Sequence, residues 1–257
     1  KETPEEKEIH NIWVFQYDEA TKELLIKPRY YTITDQAMLQ DLPVYLKAGV
    51  PSVVYVVTNT GYDNWANDGT DASWQKFKQL EQLKKQTLPT AFPLRSIDKV
   101  SIPMAGASEE VEVTTGITVT VPVTRMYAKL KVKVEMRKAE MELNNVNVRQ
   151  IPNICRVETL AGDGKGEPME PVPFPDETTF SSIAFAASDL EKNEDKEWAV
   201  FYVPENLQGE TQTQGGNKSD AAPSNALVVD ITTEIGGERY LYAAYPGGNS
   251  LNNFNIQ

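Results

Sequence analysis

Histidine and cysteine are nearly absent from this sequence, and their scarcity excludes several kinds of site. The 257 residues include a single histidine, His10, and a single cysteine, Cys155. A Ser-His-Asp triad needs a well-placed histidine, a structural zinc site needs several Cys or His ligands, and an internal disulfide needs a pair of thiols. We therefore predict a protein that is not an enzyme and has no cofactor, and we expect Cys155 to be a buried small hydrophobe.

Positive charge is also scarce. The chain carries 25 Lys and Arg against 37 Asp and Glu, which gives a net charge of -12, and no basic stripe interrupts this excess of acid. Such a surface repels the phosphates of nucleic acid and the head groups of anionic membranes, so we predict no nucleic-acid partner. Solubility alone also explains the acidity. Long apolar runs are missing as well, and no segment is long enough to span a bilayer as a helix.

Short runs of β-branched and aromatic residues are abundant, and they are separated by Gly, Pro and Asn. These runs predict about a dozen short strands, a mainly β chain and no alternating βαβ units. Strands are expected over 9–17, 52–58, 117–123 and 198–203, and Gly236-Gly237 predicts a hairpin turn. Two antiparallel β-sandwiches fit this pattern best, with an N-terminal domain over 1–122 and a C-terminal domain over 123–257.

A helix is predicted over about 73–87, inserted in the first domain. Trp74, Phe77, Leu80 and Leu83 recur at i+3 spacing along one stripe, with Lys and Gln residues opposite. This periodicity is typical of an amphipathic helix, and Pro89 is expected to end it.

An acidic loop before that helix is rich in oxygen ligands. It contains Asp63, Asn64, Asn67, Asp68 and Asp71, which makes a calcium site conceivable. The spacing does not match the twelve-residue calcium-binding loop, and turn formation plus helix capping explains the same residues. We therefore predict no metal, with calcium at Asp63, Asp68 and Asp71 as the weaker alternative.

Five segments of the sequence form a recognisable series: IHNIWVFQYD at 9–18, VVYVVTNTG at 53–61, IPMAG at 102–106, TRMYAKLKVKV at 124–134, and YPGGN at 245–249 followed by NFNI at 253–256. Together they resemble the fimbrillin-like subunits of the type V (FimA/Mfa-like) pili of Bacteroidales. Each segment alone is a weak signal, but the order matches over nearly the whole chain.

This resemblance implies a pair of tandem transthyretin-like β-sandwiches, export as a lipoprotein, and polymerisation in fimbriae on the outer membrane. In that family a first strand is removed by a protease, and a strand of a neighbouring subunit adds in the groove that it leaves. This sequence begins where the removed strand would end, which fits either that cleavage or a disordered leader. The residues expected to line the groove are Ile12, Val14, Phe15, Val100 and Ile102.

The sequence departs from the family pattern after 256, where an Arg-Asn pair and further strands are usual. The second domain is therefore expected to lack its last strands, either because they are cleaved or because another domain follows in the full protein. A following domain would suit a tip or accessory subunit better than a shaft subunit. The implied partners are other pilus subunits, with host or bacterial surface ligands as further candidates. The alternative is a surface lipoprotein that binds carbohydrate through loop aromatics such as Tyr62 and Trp65. A glycoside hydrolase accessory is the third interpretation, although no acid/base pair stands out.

Overall fold

The structure, a computed structural model, describes residues 5–61, 63, 65–66, 73–89, 102–136, 138–158, 172–193, 196–209, 222–247 and 256; for 5, 191–193 and 196–198 it describes the backbone alone. The chain forms two compact units. Unit 1 contains Lys1–Leu88, Ile97–Met126 and Arg156–Thr159, and unit 2 contains Pro89–Ser96, Tyr127–Cys155 and Leu160–Gln257. A short segment of the second half of the chain thus belongs to unit 1. The domain boundary after residue 122 stays a prediction.

Strands dominate the described residues, which confirms the predicted mainly β class. The strands are β1 (Asn11–Asp18), β2 (Arg29–Thr32), β3 (Pro51–Thr58), β4 (Thr87–Pro89), β5 (Met104–Ala107), β6 (Val111–Glu112), β7 (Thr124–Arg125), β8 (Tyr127–Val134), β9 (Met141–Pro152), β10 (Ile154–Arg156), β11 (Phe180–Ala186), β12 (Glu191–Asn193), β13 (Lys196–Pro204), β14 (Val228–Ile235) and β15 (Glu238–Ala244). The α-helix α1 spans Leu80–Lys84, and short 3-10 helices span Glu5–Lys7, Gln36–Gln40, Ser73–Phe77 and Ala187–Asp189. None of these helices has the length and apolar character needed to cross a bilayer.

Unit 1 is built on an antiparallel sheet with the strand order β2-β1-β3-β5-β7, in which β6 also pairs with β3. β1 lies between β2 and β3, with Val14 opposite Arg29 on one side and Val56 on the other. β1 and β3 are rich in β-branched and aromatic residues, which favour the centre of a sheet. This placement agrees with the strands predicted over 9–17 and 52–58.

Aromatic side chains of β1 form the core on one face of this sheet. Phe15 packs 5.4 Å from Phe77 and 6.1 Å from Trp65, measured between ring centroids. Tyr17 is completely buried, and its hydroxyl donates a hydrogen bond of 2.9 Å to the carbonyl oxygen of Phe77. The hydrogen bond satisfies a phenol that burial would otherwise leave unpaired.

The helical region is shorter than predicted and is interrupted. In place of a helix over about 73–87, a 3-10 helix ends at Phe77, α1 starts at Leu80, and Thr87 already belongs to β4. The interruption occurs because backbone groups there bond to another segment: Leu24 donates to the Lys78 carbonyl (2.8 Å), and Leu80 donates to the Lys22 carbonyl (3.0 Å). The i+3 spacing of the apolar residues also fits the tighter 3-10 geometry.

The predicted strand over 117–123 is absent from the structure, which shows irregular backbone there. Val119 and Val121 nevertheless pack against the buried residues of the second face of the sheet. Pro122 lacks a backbone N–H and cannot donate to a sheet ladder. The alternating pattern therefore serves side-chain packing rather than strand pairing.

Unit 2 is a two-layer sandwich, as predicted for this half of the chain. One sheet has the order β11-β9-β14-β15 and the other has the order β12-β13-β8. A single hydrophobic core joins side chains from both sheets, including Val146, Val148, Phe185, Phe201 and Val229. Interdigitation of inward side chains from facing sheets is the usual core of a β-sandwich.

The β14–β15 hairpin forms one edge of the four-stranded sheet. Gly236 and Gly237 form its two-residue turn with φ of 59° and 88°, and the register continues without a bulge from Ile235 opposite Glu238 to Val229 opposite Ala244. Positive φ at both turn positions is what a type I′ turn requires, and glycine adopts it without steric cost. The hairpin predicted from Gly236-Gly237 is confirmed.

Candidate strand-binding surfaces

The residues predicted to line a partner-strand groove lie on both faces of the unit 1 sheet. Ile12 and Val14 are buried on one face, whereas Phe15 is buried in the aromatic core on the other. Ile102 is buried just before β5, and Val100 lies outside the described residues. The structure therefore places Ile12 and Val14 together and Phe15 away from them, because neighbouring residues of a strand point to opposite faces.

The face that contains Ile12 and Val14 is only partly covered, and we call it the aliphatic face. Its buried members are Ile12, Val14, Ile33 and Val54. Hydrophobic residues packed against them keep partial exposure: Ile9, Tyr31, Leu39, Leu42, Leu46, Val56, Val111, Val119 and Val121. The segments around Leu42 and Val119 are irregular rather than sheet, so this face has a loose cover.

β15 is a second surface of interest, because it is an edge strand that is exposed on both faces. All seven of its residues are exposed, including three large hydrophobic ones, Tyr240 (40%), Leu241 (67%) and Tyr242 (49%). Tyr242 lies opposite Ile231 and Tyr240 opposite Thr233, so both tyrosines share the core-facing side of the sheet. The facing sheet leaves them exposed.

The backbone of β15 has a free side within the part of the chain that the structure describes. Ile235 and Glu238 flank a two-residue turn and form a hydrogen-bonded pair, so every second residue from Glu238 points its N–H toward β14. The N–H groups of Arg239, Leu241 and Ala243 consequently point away from the sheet. Nearby, the Thr233 hydroxyl is buried without a hydrogen-bond partner in the described chain.

The exposure of β15 could not be read from its sequence. The run 238–245 predicts a strand, but periodicity does not say which face a tyrosine occupies in the finished sandwich. The only signal is that hydrophobic residues stand at three consecutive positions, 240–242, where a half-exposed strand would alternate apolar with polar residues.

The predicted calcium alternative gains no support from the described residues. Asp63 is exposed, whereas Asp68 and Asp71 lie outside the described residues. Where the chain is described, no group of three or more His, Cys, Asp or Glu could hold a metal ion.

His10 lies at the surface with its ring nitrogen 3.5 Å from the Glu8 carboxylate. The prediction that Cys155 is buried is confirmed, since it is 1% exposed.

Trp65, one of the two aromatic residues proposed for carbohydrate binding, is not at an exposed loop tip. Trp65 is half-buried, and its ring lies 5.0 Å from that of Phe77. Tyr62 falls outside the described residues. Trp65 therefore contributes to the aromatic core of unit 1.

Comparison with known proteins connects this fold to fimbrial and adhesion proteins. The tip fimbrial protein Mfa3 of Porphyromonas gingivalis, solved with a C-terminal truncation, matches over 98% of this chain and 87% of its own, at 16% identity and a TM-score of 0.55. A candidate cell adhesion protein of Parabacteroides distasonis matches over 100% of this chain and 78% of its own, at 12% identity and a TM-score of 0.60.

Comparison by sequence covers a smaller part of the chain than comparison by structure. A family model described as a domain of unknown function (DUF4906) matches residues 201–257, which include the β14–β15 hairpin. No curated protein matches the chain. At these identities the structural likeness shows the fold, and the fold is that of Bacteroidales fimbrial and adhesion-type β-sandwich proteins. The predicted resemblance to the fimbrillin-like, Mfa-type proteins is confirmed at that level.

Proposed function

We propose that this chain is a non-enzymatic fimbrial or adhesive subunit that joins other subunits by strand addition on the bacterial surface. The proposal rests on the observation that β15 is an exposed edge strand. An exposed, regular edge strand is a template on which another strand pairs, and soluble proteins usually protect such edges with charge, Pro or bulges. The three hydrophobic residues of β15 at 240–242 provide none of that protection.

Strand addition at β15 would use both backbone and side chains. The outward N–H and carbonyl groups of Arg239, Leu241 and Ala243 would provide main-chain hydrogen bonds to an antiparallel or parallel partner. The rings of Tyr240 and Tyr242 would then pack against the partner's side chains on the core-facing side. A partner strand here would extend the four-stranded sheet by one.

Of the groove predicted at Ile12, Val14, Phe15, Val100 and Ile102, the part formed by Ile12 and Val14 remains a second proposed acceptor. β1 already has neighbours on both sides, so a partner strand would lie across the aliphatic face at Ile12 and Val14. The loose cover of that face supports this arrangement. Replacement of irregular segments by a regular strand would complete the burial of partly exposed aliphatic side chains.

The remaining assignments follow from the same proposal. Its partners are other pilus subunits, its place is the fimbrium at the outer membrane, and a lipid anchor of a precursor would provide the membrane attachment. A tip or accessory role is favoured by the tip protein among the structural matches. The transthyretin-like description of the domains belongs to this proposal too.

Incorporation of Leu241 variants into filaments tests the proposal. Leu241→Pro removes an N–H that points away from β14, so the hairpin keeps its own hydrogen bonds while the outer edge is blocked. Leu241→Ala is the matched control, because it also loses the leucine side chain but keeps the N–H. We expect Leu241→Ala to enter filaments and Leu241→Pro to remain monomeric at equal surface expression.

The outcomes separate the two acceptors. If Leu241→Pro assembles as well as Leu241→Ala, β15 is not the acceptor, and the aliphatic face carries the proposal alone. If wild-type chain is absent from purified fimbriae of the bacterium that produces it, the fimbrial function itself is wrong.

A further inference from the structure

A pocket of about 400 Å³ lies beside edge strand β2 in unit 1, and neither the fold nor strand addition accounts for it. Its lining consists of Trp13, Lys27, Pro28, Arg29, Tyr30, Tyr31 and Asp63. The volume is within the range of pockets that hold small molecules, about 300–1,000 Å³. It lies at an accessible edge of the sheet, which a ligand in solution can reach.

The floor of the pocket is aromatic. Trp13 and Tyr30 are paired across β1 and β2, and their ring centroids lie 5.3 Å apart at an angle of 56°. Trp13 is buried, whereas Tyr30 keeps partial exposure and presents its ring to the pocket. Burial, and the nearby Asp63 carboxylate, raise the pKa of Tyr30, so its hydroxyl stays a hydrogen-bond donor at neutral pH.

The two remaining charges of the pocket are opposite in sign and available. Neither Lys27 nor Asp63 makes a hydrogen bond or an ion pair within the described part of the chain. The Arg29 guanidinium is engaged elsewhere, 4.6 Å from the ring centroid of Tyr45. Because side chains alternate along a strand, Arg29 and Tyr31 face the side opposite to Tyr30. The pocket therefore has an aromatic floor, one uncommitted cation and one acceptor carboxylate, while the guanidinium of Arg29, which also lines it, is held against the Tyr45 ring.

We propose that this pocket binds a neutral hexose unit of a glycan. A pyranose has an apolar C–H face that packs flat on an aromatic ring, and a polar edge of hydroxyls that both donate and accept hydrogen bonds. Tyr30 would supply the ring, the Asp63 carboxylate would accept from hydroxyls, and the Lys27 ammonium would donate to them. An anionic ligand would be repelled by Asp63 and by the net charge of -12, and a purely apolar ligand would leave both charges desolvated.

Saturation-transfer NMR of the whole chain with the methyl glycosides of glucose, galactose and mannose tests this site. We expect at least one of the three to receive saturation, with the strongest transfer to protons on one face of its ring. Tyr30→Leu keeps an apolar side chain but loses the flat ring, and we expect affinity to fall by roughly tenfold, the equivalent of one stacking contact. Asp63→Asn keeps the shape and removes the charge, and it should also weaken binding.

The matched control positions belong to unit 2 and are far in sequence from the residues that line the pocket. Tyr245→Leu and Asp176→Asn make the same chemical changes at a partly exposed and an exposed position of unit 2 and should leave the transfer unchanged. Thermal unfolding of all four variants, followed by circular dichroism, shows whether Tyr30→Leu still folds; if it does not, Asp63→Asn alone decides the result. Absence of transfer from all three glycosides would overturn the proposal. Equal transfer in wild type and Asp63→Asn, or binding of an extended peptide along β2 instead, would overturn it as well.

Discussion

Gly106 lies directly against the backbone of Pro122, so that a Cβ added to Gly106 would be 1.8 Å from the Pro122 carbonyl oxygen. Gly106 is in β5, and Pro122 belongs to the irregular segment that leads to β7. The contact is between backbone atoms, which cannot move aside as the end of a flexible side chain can. The glycine of the IPMAG motif is therefore required by this close approach.

Gly106→Ala should destabilise unit 1 strongly, by about 3 kcal/mol or more, because the added methyl group forces backbone displacement. Urea unfolding followed by tryptophan fluorescence measures the effect. Gly116→Ala is the control: Gly116 has a φ of 80° but open space around its Cβ position, so its cost should be only about 1 kcal/mol of local strain. Equal losses for the two variants would show that the Gly106 contact is not rigid.

Tyr17 makes stability depend on pH in alkaline solution. Burial raises the pKa of Tyr17 and of Tyr55 well above the ordinary value, and the nearby Glu158 carboxylate adds to the effect at Tyr55. Because the folded pKa is raised, the stabilisation is fully present below about pH 10, where the unfolded phenol also keeps its proton. Above that pH the unfolded state alone loses protons, and stability falls by about 1.4 kcal/mol per pH unit for each tyrosine.

Tyr17→Phe should remove one of these two contributions. We expect a shallower loss of the free energy of unfolding between about pH 10 and pH 11.5 than in wild type. At neutral pH the same variant should be less stable by about 1–2 kcal/mol, since the Phe77 carbonyl loses its donor. Urea unfolding at several pH values measures both effects, and identical pH slopes would contradict the assignment.

Arg149 and Asp230 form a charge pair across β9 and β14 of unit 2. The second guanidinium nitrogen, Nη2, lies 3.2 Å from Asp230 Oδ1, while Nε contacts Oδ2, so the pair is bidentate. The pair raises the pKa of Arg149 through its hydrogen bond to Asp230. A double-mutant cycle with Arg149→Gln and Asp230→Asn should give a coupling of about 1 kcal/mol, reduced by salt because Arg149 is partly exposed. Purely additive effects would argue that the pair adds no stability.

Cys155 should report unfolding through its reactivity. It is the single thiol of the chain and is buried, so a disulfide reagent should modify it slowly in the native protein and rapidly in denaturant. The ratio of the two rates, measured with Ellman-type reagents, gives the free energy of the opening that exposes it. Rapid modification under native conditions would contradict the buried position.

The central strands could be predicted from sequence because their patterns are unambiguous. The β-branched run at 52–58 and the Gly236-Gly237 turn are local signals that admit few alternatives, and both appear in the structure as expected. The predictions for segment 117–123 and for a helix over 73–87 were wrong for separate reasons. Pro122 cannot donate to a sheet ladder, and in the helical region backbone groups of Lys78 and Leu80 bond to residues 22–24 instead.

The candidate sites were less predictable than the fold. Trp13, Lys27 and Asp63 are far apart in sequence, and only the pairing of β1 with β2 brings Trp13 beside Tyr30. In the same way, Ile12 and Phe15 were grouped by their proximity in sequence, but strand geometry separates them onto opposite faces. Which strand lies at an edge depends on the order of the sheet, and that order is a property of the whole fold.

Amide hydrogen exchange of β15 is the decisive measurement for strand addition. It should be measured on the isolated chain and on the same chain within assembled fimbriae, with the alternating residues of β15 resolved. We expect the outward amides of Arg239, Leu241 and Ala243 to exchange fast in the isolated chain and to become protected in the assembly. The amides of Tyr240 and Tyr242, which point toward β14, should be protected in both. Equally fast exchange of the outward amides in both states would contradict strand addition at β15.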